Sequence, residues 1–145
     1  MPFSGGDIDD IFEVIQEACS NEKMVAVRAD QVFGSGMVMR KIYKLILESE
    51  FIITDLTGSR PNVYFELGIA LGVGNLSSDV LLIAKKDTEL HFDMNFYHVE
   101  FYETKEQLKA LIESSLQKMK AASPNQLRRW SIQFIRKMTQ RMPDA

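Results

Sequence analysis

The sequence predicts an α/β protein in which helices cover both faces of a parallel sheet. Amphipathic helical patterns alternate with short apolar runs along the 145 residues, an order typical of strand–helix–strand units. The apolar runs at 51–56 and 79–85 are continuous rather than alternating, as in strands that are buried on both faces. The length is sufficient for one domain with a substantial core.

Each element is predicted from a local pattern. Apolar residues recur every three or four positions in the segments that we predict as helices, which are 9–22, 34–50, 61–72, 103–120 and 125–141. Short runs of β-branched, aliphatic and aromatic residues predict strands at 24–29, 51–56, 79–85 and 97–102. Pro61 fits the first turn of its helix, because its missing N–H costs no hydrogen bond there.

Together these elements predict a flavodoxin-like, doubly wound parallel sheet of four to five strands. The first strand of such a sheet should precede the first helix, and only Met1, Pro2 and Phe3 are available for it. We therefore expect this strand to be truncated or absent. In this interpretation residues 1–122 form the α/β domain, and residues 123–145 add an amphipathic, basic C-terminal helix packed on the same domain.

Composition limits the classes of function. With a net charge of −3, the chain offers no broad basic surface, so we do not expect nucleic acid as its partner. The single cysteine, Cys19, excludes an intrachain disulfide and fits a reducing cytoplasm. No apolar run reaches the length of a membrane span, and the N-terminus has no signal-peptide pattern. We expect a cytoplasmic protein without a membrane partner.

The C-terminal segment differs in charge from the rest of the chain. From Gln117 onward the sequence has seven basic residues and one acid, Asp144. This pattern favours a solvated basic helix face, and a docking surface for an acidic partner or a nucleic-acid backbone is the alternative. His91 and His98 lack metal-ligand spacing, so we expect no metal and no cofactor.

One acid stands out, because Glu66 is the only charged residue between Pro61 and Ser78. Ligands of doubly wound sheets bind in the crevice beyond the carboxyl ends of the strands. Asp55 ends a strand and Glu66 lies in the first turns of the next helix, so we expect both to face this crevice. The helix dipole favours an ionised Glu66, which suits a nucleophile or a stabiliser of an oxocarbenium-like sugar. The alternative is a helix-start glutamate that faces water.

Other polar residues near the predicted crevice have two interpretations each. Asp55 can accept hydrogen bonds from a ribose hydroxyl or a base amine, or from the amides of its own turn, as aspartate often does. Arg28 and Asp30 can pair with each other or reach the rim of the crevice. The "GSG" at 34–36 can offer backbone N–H groups to a phosphate, although it matches no dinucleotide fingerprint.

The run from Arg28 to Gly72, with its "GSG", "DLTG" and "ELGIA" pieces, resembles the N-(deoxy)ribosyltransferase-like superfamily. This group includes nucleoside 2-deoxyribosyltransferases, deoxynucleotide N-hydrolases and TIR-like nucleotide-binding proteins. The resemblance implies that Glu66 is the catalytic nucleophile, and it places Asp55 in the ligand crevice as the second catalytic candidate. The pattern and the resemblance together give these candidate substrate-binding residues: Ser4, Gly5, Asp30, Gly34, Ser35, Gly58 and Asn62.

The resemblance implies cleavage or transfer of the N-glycosidic bond of a nucleoside or nucleotide. The "PNV" before Glu66 is more similar to the TIR-like relatives, so an NAD glycohydrolase is one alternative. A non-catalytic nucleotide-binding module in signalling or defence is another. The transferases carry a base-stacking aromatic residue in the first strand, and an acid before the third strand, for which only Glu50 could stand in. The resemblance also implies a homo-oligomer, because a neighbouring chain completes many crevices of this superfamily.

Overall fold

A computed structural model describes residues 5–28, 38–72, 79–91, 94 and 97–122. Its helices are α1 (Gly5–Asn21), α2 (Val38–Glu48), α3 (Pro61–Gly72) and α4 (Lys105–Ala122). Its strands are β1 (Ile52–Asp55), β2 (Val80–Lys85) and β3 (Glu100–Tyr102). The four helices and three strands agree with the predicted segments to within a few residues, except that α1 begins earlier.

The strands form a parallel sheet in the order β1-β2-β3. Ile52 pairs with Val80 at one end of the sheet, and Ile83 pairs with Glu100 further along β2. The central strand is buried from its first residue through Ala84, which is why it reads as a continuous apolar run in the sequence. The α/β class and the parallel sheet are therefore confirmed, whereas the described residues contain three strands rather than the predicted four to five.

Helices cover both faces of the sheet. Successive side chains of β2 point to opposite faces, and each face packs against a different set of helices. Leu81 and Ile83 face the layer formed by α1 and α4. Leu82 and Ala84 face α3 on the other side. A smaller cluster joins α2 to α3, where Ile42 and its neighbours pack against Ala70. This three-layer arrangement is the one that a doubly wound sheet requires.

The pairing of α1 with α4 closes one of the outer layers. Ala18 and Cys19 of α1 are buried against Leu108, Ile112 and Leu116 of α4. Ion pairs border this apolar contact, with Lys105 Nζ 3.0 Å from Asp10 Oδ2 and Lys109 Nζ 2.7 Å from Glu17 Oε1. The layer therefore has an apolar centre and a charged rim.

The start of α4 is held by its own side chains. Thr104 Oγ1 accepts a hydrogen bond from the N–H of Gln107 at 3.1 Å, and Gln107 Oε1 accepts one from the N–H of Glu103 at 2.9 Å. The first bond satisfies an amide in the first turn that has no partner within the helix, and the second ties the residue before the helix to that turn. The "T-x-x-Q" pattern thus explains where α4 begins.

The strand predicted at 24–29 is not present over residues 24–28, which pair with no strand in the described part of the chain. Met24 and Ala26 nevertheless pack against the core beneath α1 and α4. Val25 is 90% exposed and Val27 is 59% exposed. The side chains of this segment thus alternate between packed and exposed, as they do in a strand, but no described strand pairs with it. The predicted C-terminal helix at 125–141 lies outside the described residues.

Candidate functional site

The carboxyl ends of β1 and β2 open into a cleft, at the edge of the sheet where the topology predicts a ligand site. The turn after β1 forms one wall with Thr57, Gly58 and Ser59. The end of β2 and the loop that follows, residues 85–91, form the other wall. The cleft has a volume of about 590 Å³, within the range of small-molecule sites.

Next to this cleft, Asp55 at the end of β1 is bonded through both of its carboxylate oxygens. Its Oδ1 accepts hydrogen bonds from the N–H of Thr57 at 3.0 Å and from Thr57 Oγ1 at 2.6 Å. Its Oδ2 accepts a hydrogen bond from the hydroxyl of Tyr102 at 3.0 Å. Of the two interpretations of Asp55, the bonds within its own turn are the ones observed. The carboxylate is thus engaged by the protein itself.

Thr57 and Tyr102 extend this network across the sheet. Thr57 Oγ1 also accepts a hydrogen bond from the N–H of Lys85 at 2.9 Å, which ties the turn after β1 to the end of β2. Tyr102 is only 2% exposed. Burial, together with the negative charge of Asp55, raises the pKa of the Tyr102 phenol well above its usual value. The sequence does not point to either residue, because the network joins positions that lie far apart along the chain.

The turn after β1 has a left-handed backbone at two successive residues, with φ of 78° at Gly58 and 47° at Ser59. Glycine adopts this conformation readily, but serine does so at a cost. Ser59 is held there because its hydroxyl bonds the carbonyl of Glu89 and lies 3.3 Å from the hydroxyl of Tyr64. The hydroxyl of Tyr64 accepts a hydrogen bond from the N–H of His91 at 3.4 Å, and the two rings meet edge to face at 4.6 Å. These contacts fix the two walls relative to each other.

Both signs of charge line the cleft. Its second wall carries Lys85, Lys86, Asp87 and Glu89. Lys86 Nζ lies 2.6 Å from a carboxylate oxygen of Glu103, and this hydrogen bond raises the pKa of Lys86. The mixture of charges and hydroxyls suits a polar ligand but does not select an anion.

Glu66 lies on the opposite side of α3 from this cleft. Tyr64 faces the 85–91 loop, and Glu66, two residues later, is about 200° further around the helix. Its neighbours on the helix surface are Asn62 and Ala70, at i−4 and i+4. Ala70 packs against α2, so Glu66 lies on the side of α3 that is turned toward α2. Its side chain is half-buried, and it is not part of the lining of the cleft beside β2.

The structure brings some of the predicted site residues together and separates others. Asn62 is exposed and lies one helical turn before Glu66. Gly58 lines the cleft on the other side of α3, and Gly5 begins α1. Arg28 pairs with Asp9, with Nη1 and Oδ1 2.8 Å apart. The remaining candidates lie outside the described residues: Ser4, Asp30, Gly34 and Ser35.

One exposed aromatic residue near Glu66 is not among the predicted site residues. Phe65 is 59% exposed on the outer surface of α3, next to the predicted nucleophile. Three positions further along the helix, a Cβ added at Gly68 would meet no atom within 4 Å. The outer surface of α3 thus offers a free aromatic ring and open space beside it. A large apolar residue at a solvent-facing helix position is the sequence signal that would have indicated it.

The fold and the cleft define an α/β domain with a parallel sheet and a polar site at its carboxyl edge. A comparison with known protein families found no family model that matches the chain, and a comparison with curated proteins found no match. Across the described segments, no three histidine, cysteine or acidic residues lie close enough to hold a metal ion. No helix in the described part of the chain has the length and apolar character to cross a membrane.

Proposed function

We propose that this protein binds a nucleoside or nucleotide on the α2 side of α3 and cleaves or transfers its N-glycosidic bond with Glu66. One observation carries the proposal. Glu66 is a half-buried carboxylate on a helix with no other charged residue, and it lies beside the exposed side chains of Asn62 and Phe65. A carboxylate, an amide and an aromatic ring are the groups needed to recognise a sugar joined to a base.

Each of the three side chains has a distinct part in this proposal. Glu66 supplies the carboxylate that bonds to the sugar. The amide of Asn62 has both donors and an acceptor for sugar hydroxyls. The ring of Phe65 offers a face on which a base can stack, an interaction worth about 1–3 kcal/mol per base.

The proposed reaction follows from the position of a carboxylate next to an anomeric carbon. The bond between the sugar C1′ and the base nitrogen breaks, and the base leaves with the electron pair. The base of a neutral nucleoside takes a proton from solvent as it leaves, whereas nicotinamide leaves NAD as a neutral molecule without one. A carboxylate oxygen of Glu66 bonds to C1′, which carries positive charge in the transition state. Water or a second base then displaces the carboxylate, so that the net reaction is hydrolysis or transfer.

The experiment measures base release from deoxynucleosides, deoxynucleotides and NAD, with NAD included because of the TIR-like "PNV". We expect release of a base from at least one of these by the unaltered protein. Glu66→Gln keeps the size of the side chain and removes its charge, so release should fall by roughly a hundredfold or more. Glu89→Gln is the matched control, because Glu89 is an exposed glutamate in the cleft on the other side of α3. Equal release by all three proteins would exclude the proposed role of Glu66.

A nucleotide-binding module without catalysis is the second candidate. The hydrogen bonds of Asp55 favour this function. Because Thr57 and Tyr102 occupy its carboxylate, Asp55 does not act as a second acid beside Glu66. Calorimetry distinguishes the two functions. A binding module would take up nucleotide with the same affinity in the Glu66→Gln variant and release no base in either form.

A further inference from the structure

We propose that Tyr43 of α2 binds the base of the substrate, across the groove between α2 and α3 from Glu66. This inference rests on the proposed function, because it assigns a further residue to the same site. It is carried by the contact between the two helices, by the side of each helix on which Tyr43 and Glu66 lie, and by the exposure of Tyr43.

The helices α2 and α3 lie side by side and run in the same direction. The first leads into β1 and the second leads out of it, so both run opposite to the strand between them. Ile42 and Ile46 of α2 pack against Ala70 of α3. This contact lies at the bottom of the groove between the two helices, the α2–α3 groove.

Tyr43 and Glu66 lie on the same side of this contact. Viewed along two parallel helices, successive residues advance in the same sense by about 100°. Tyr43 is about 100° ahead of Ile42, and Glu66 is about 40° behind Ala70. Because one residue is ahead of the contact and the other is behind it on the facing helix, both turn to the same side. Leu67, which is about 60° ahead of Ala70, packs on the sheet, so the side that Tyr43 and Glu66 share faces away from the sheet.

The exposure of the side chains agrees with this placement. Tyr43 is 38% exposed, which leaves its ring accessible to a ligand although the neighbouring Ile42 is buried. Glu66 is half-buried and Asn62 is exposed. The α2–α3 groove thus has an aromatic ring on one wall and the proposed nucleophile with its neighbouring amide on the other.

Along the groove, Glu66 lies between Asn62 and Tyr43. Ala70 is level with the two isoleucines of α2, and a helix rises about 1.5 Å per residue. Tyr43 is therefore about 4–5 Å from Glu66 along the helix axes, and Asn62 is about 6 Å from Glu66 in the opposite direction. The base and the rest of the sugar extend in different directions from C1′. With C1′ at Glu66 and the sugar hydroxyls at Asn62, the base lies toward Tyr43.

The phenol ring of Tyr43 gives the base an aromatic contact from α2, whereas Phe65 offers one from α3. Stacking on such a ring accepts different bases, because every base has a flat π face. The base keeps this contact in both the ground state and the transition state. Loss of the ring should therefore raise KM and leave kcat nearly unchanged, which distinguishes Tyr43 from Glu66.

The experiment measures KM and kcat for the substrate from which the unaltered protein releases base fastest. We expect Tyr43→Leu to raise KM by about tenfold or more and to change kcat by less than about twofold. Tyr43→Phe keeps the ring, so its KM should stay within about threefold of the unaltered value. Tyr97→Leu is the matched control, because Tyr97 is 40% exposed and lies near β3. An unchanged KM in Tyr43→Leu, or an equal rise in Tyr43→Phe or in Tyr97→Leu, would overturn the assignment.

Calorimetry separates this inference from the proposed chemistry. Binding of the same deoxynucleosides, deoxynucleotides and NAD is measured in Glu66→Gln and in the double variant Glu66→Gln/Tyr43→Leu. We expect the double variant to bind about tenfold or more weakly. If it does so while Glu66→Gln still releases base at the unaltered rate, the role of Glu66 is wrong and that of Tyr43 stands. Equal affinity in the two variants, or no binding by either variant or by the unaltered protein, would mean that Tyr43 does not bind the base.

Discussion

At the level of single residues, the hydrogen bonds of Asp55 decide the shape of the carboxyl edge. A partly buried carboxylate is costly unless its oxygens are bonded, and here the turn and the sheet both contribute donors. The charge of Asp55 therefore serves to join the end of β1 to Thr57 and to Tyr102. Asp55, which its place at the end of a strand makes a catalytic candidate, thus has a structural role in the observed hydrogen bonds.

The raised pKa of Tyr102 predicts a loss of stability in alkali. In the unfolded chain tyrosine loses its proton near pH 10, while the folded protein keeps it because burial and Asp55 disfavour the phenolate. The unfolded state then binds fewer protons than the folded state, so the free energy of unfolding falls as the pH rises above about 10. Urea unfolding between about pH 8 and pH 11 measures this fall.

Tyr102→Phe is the comparison that isolates the effect. At neutral pH it should cost about 1–3 kcal/mol, because Asp55 loses a donor. Above about pH 10 its stability should fall less steeply than that of the unaltered protein. Lysine ion pairs such as Lys86–Glu103 titrate in both proteins and cancel in the difference. Parallel stability curves for the two proteins would contradict the assigned pKa shift.

At the level of elements, α3 carries a glycine in its interior that no packing contact requires. A Cβ at Gly68 meets nothing within 4 Å, and glycine inside a helix costs about 0.5–1 kcal/mol relative to alanine. Gly68→Ala should therefore stabilise the protein by about that amount, measured by urea or thermal unfolding. Gly72→Ala, at the last residue of the same helix, is the matched control and should give a smaller gain. A destabilised Gly68→Ala variant would mean that the space beside Gly68 is filled in solution.

The helices could be predicted from the sequence better than the sheet, for a physical reason. A helix bonds its own backbone, so the spacing of apolar residues in 61–72 or 103–120 is enough to predict it. A strand needs a neighbour, and residues 24–28 show the alternation of a strand without a described partner. Local pattern therefore predicts the tendency to form a strand but not the pairing.

The candidate site was predictable only in part. The carboxyl edge of the sheet follows from the parallel topology, and a cleft lies there. The side of α3 that each residue faces depends on a rotation of about 100° per residue, so Tyr64 and Glu66 border different spaces. The contact of Tyr64 with Ser59 and His91 depends on loop conformation, which no periodicity encodes.

At the level of the whole molecule, stability should depend on the apolar layers far more than on the charged rim between α1 and α4. Ile112 is fully buried in that layer, so Ile112→Ala should cost about 2–5 kcal/mol through lost contacts and a cavity. Lys109→Ala removes an exposed ion pair with Glu17 and should cost less than about 1 kcal/mol. Urea unfolding of the two variants of α4 compares the effects directly. Equal losses would indicate that the rim, rather than the core, holds the helices together.

The contact between α1 and α4 has a consequence for the newly made chain. Glu17 and its partner Lys109 are 92 positions apart, and ribosomes add roughly 5–20 residues per second. The apolar side of α1 is therefore synthesised several seconds before α4, the helix that covers it. During that interval Ala18, Cys19 and the residues around them leave an apolar surface exposed to solvent or to a chaperone. Any nascent chain that stalls before residue 105 keeps that surface uncovered.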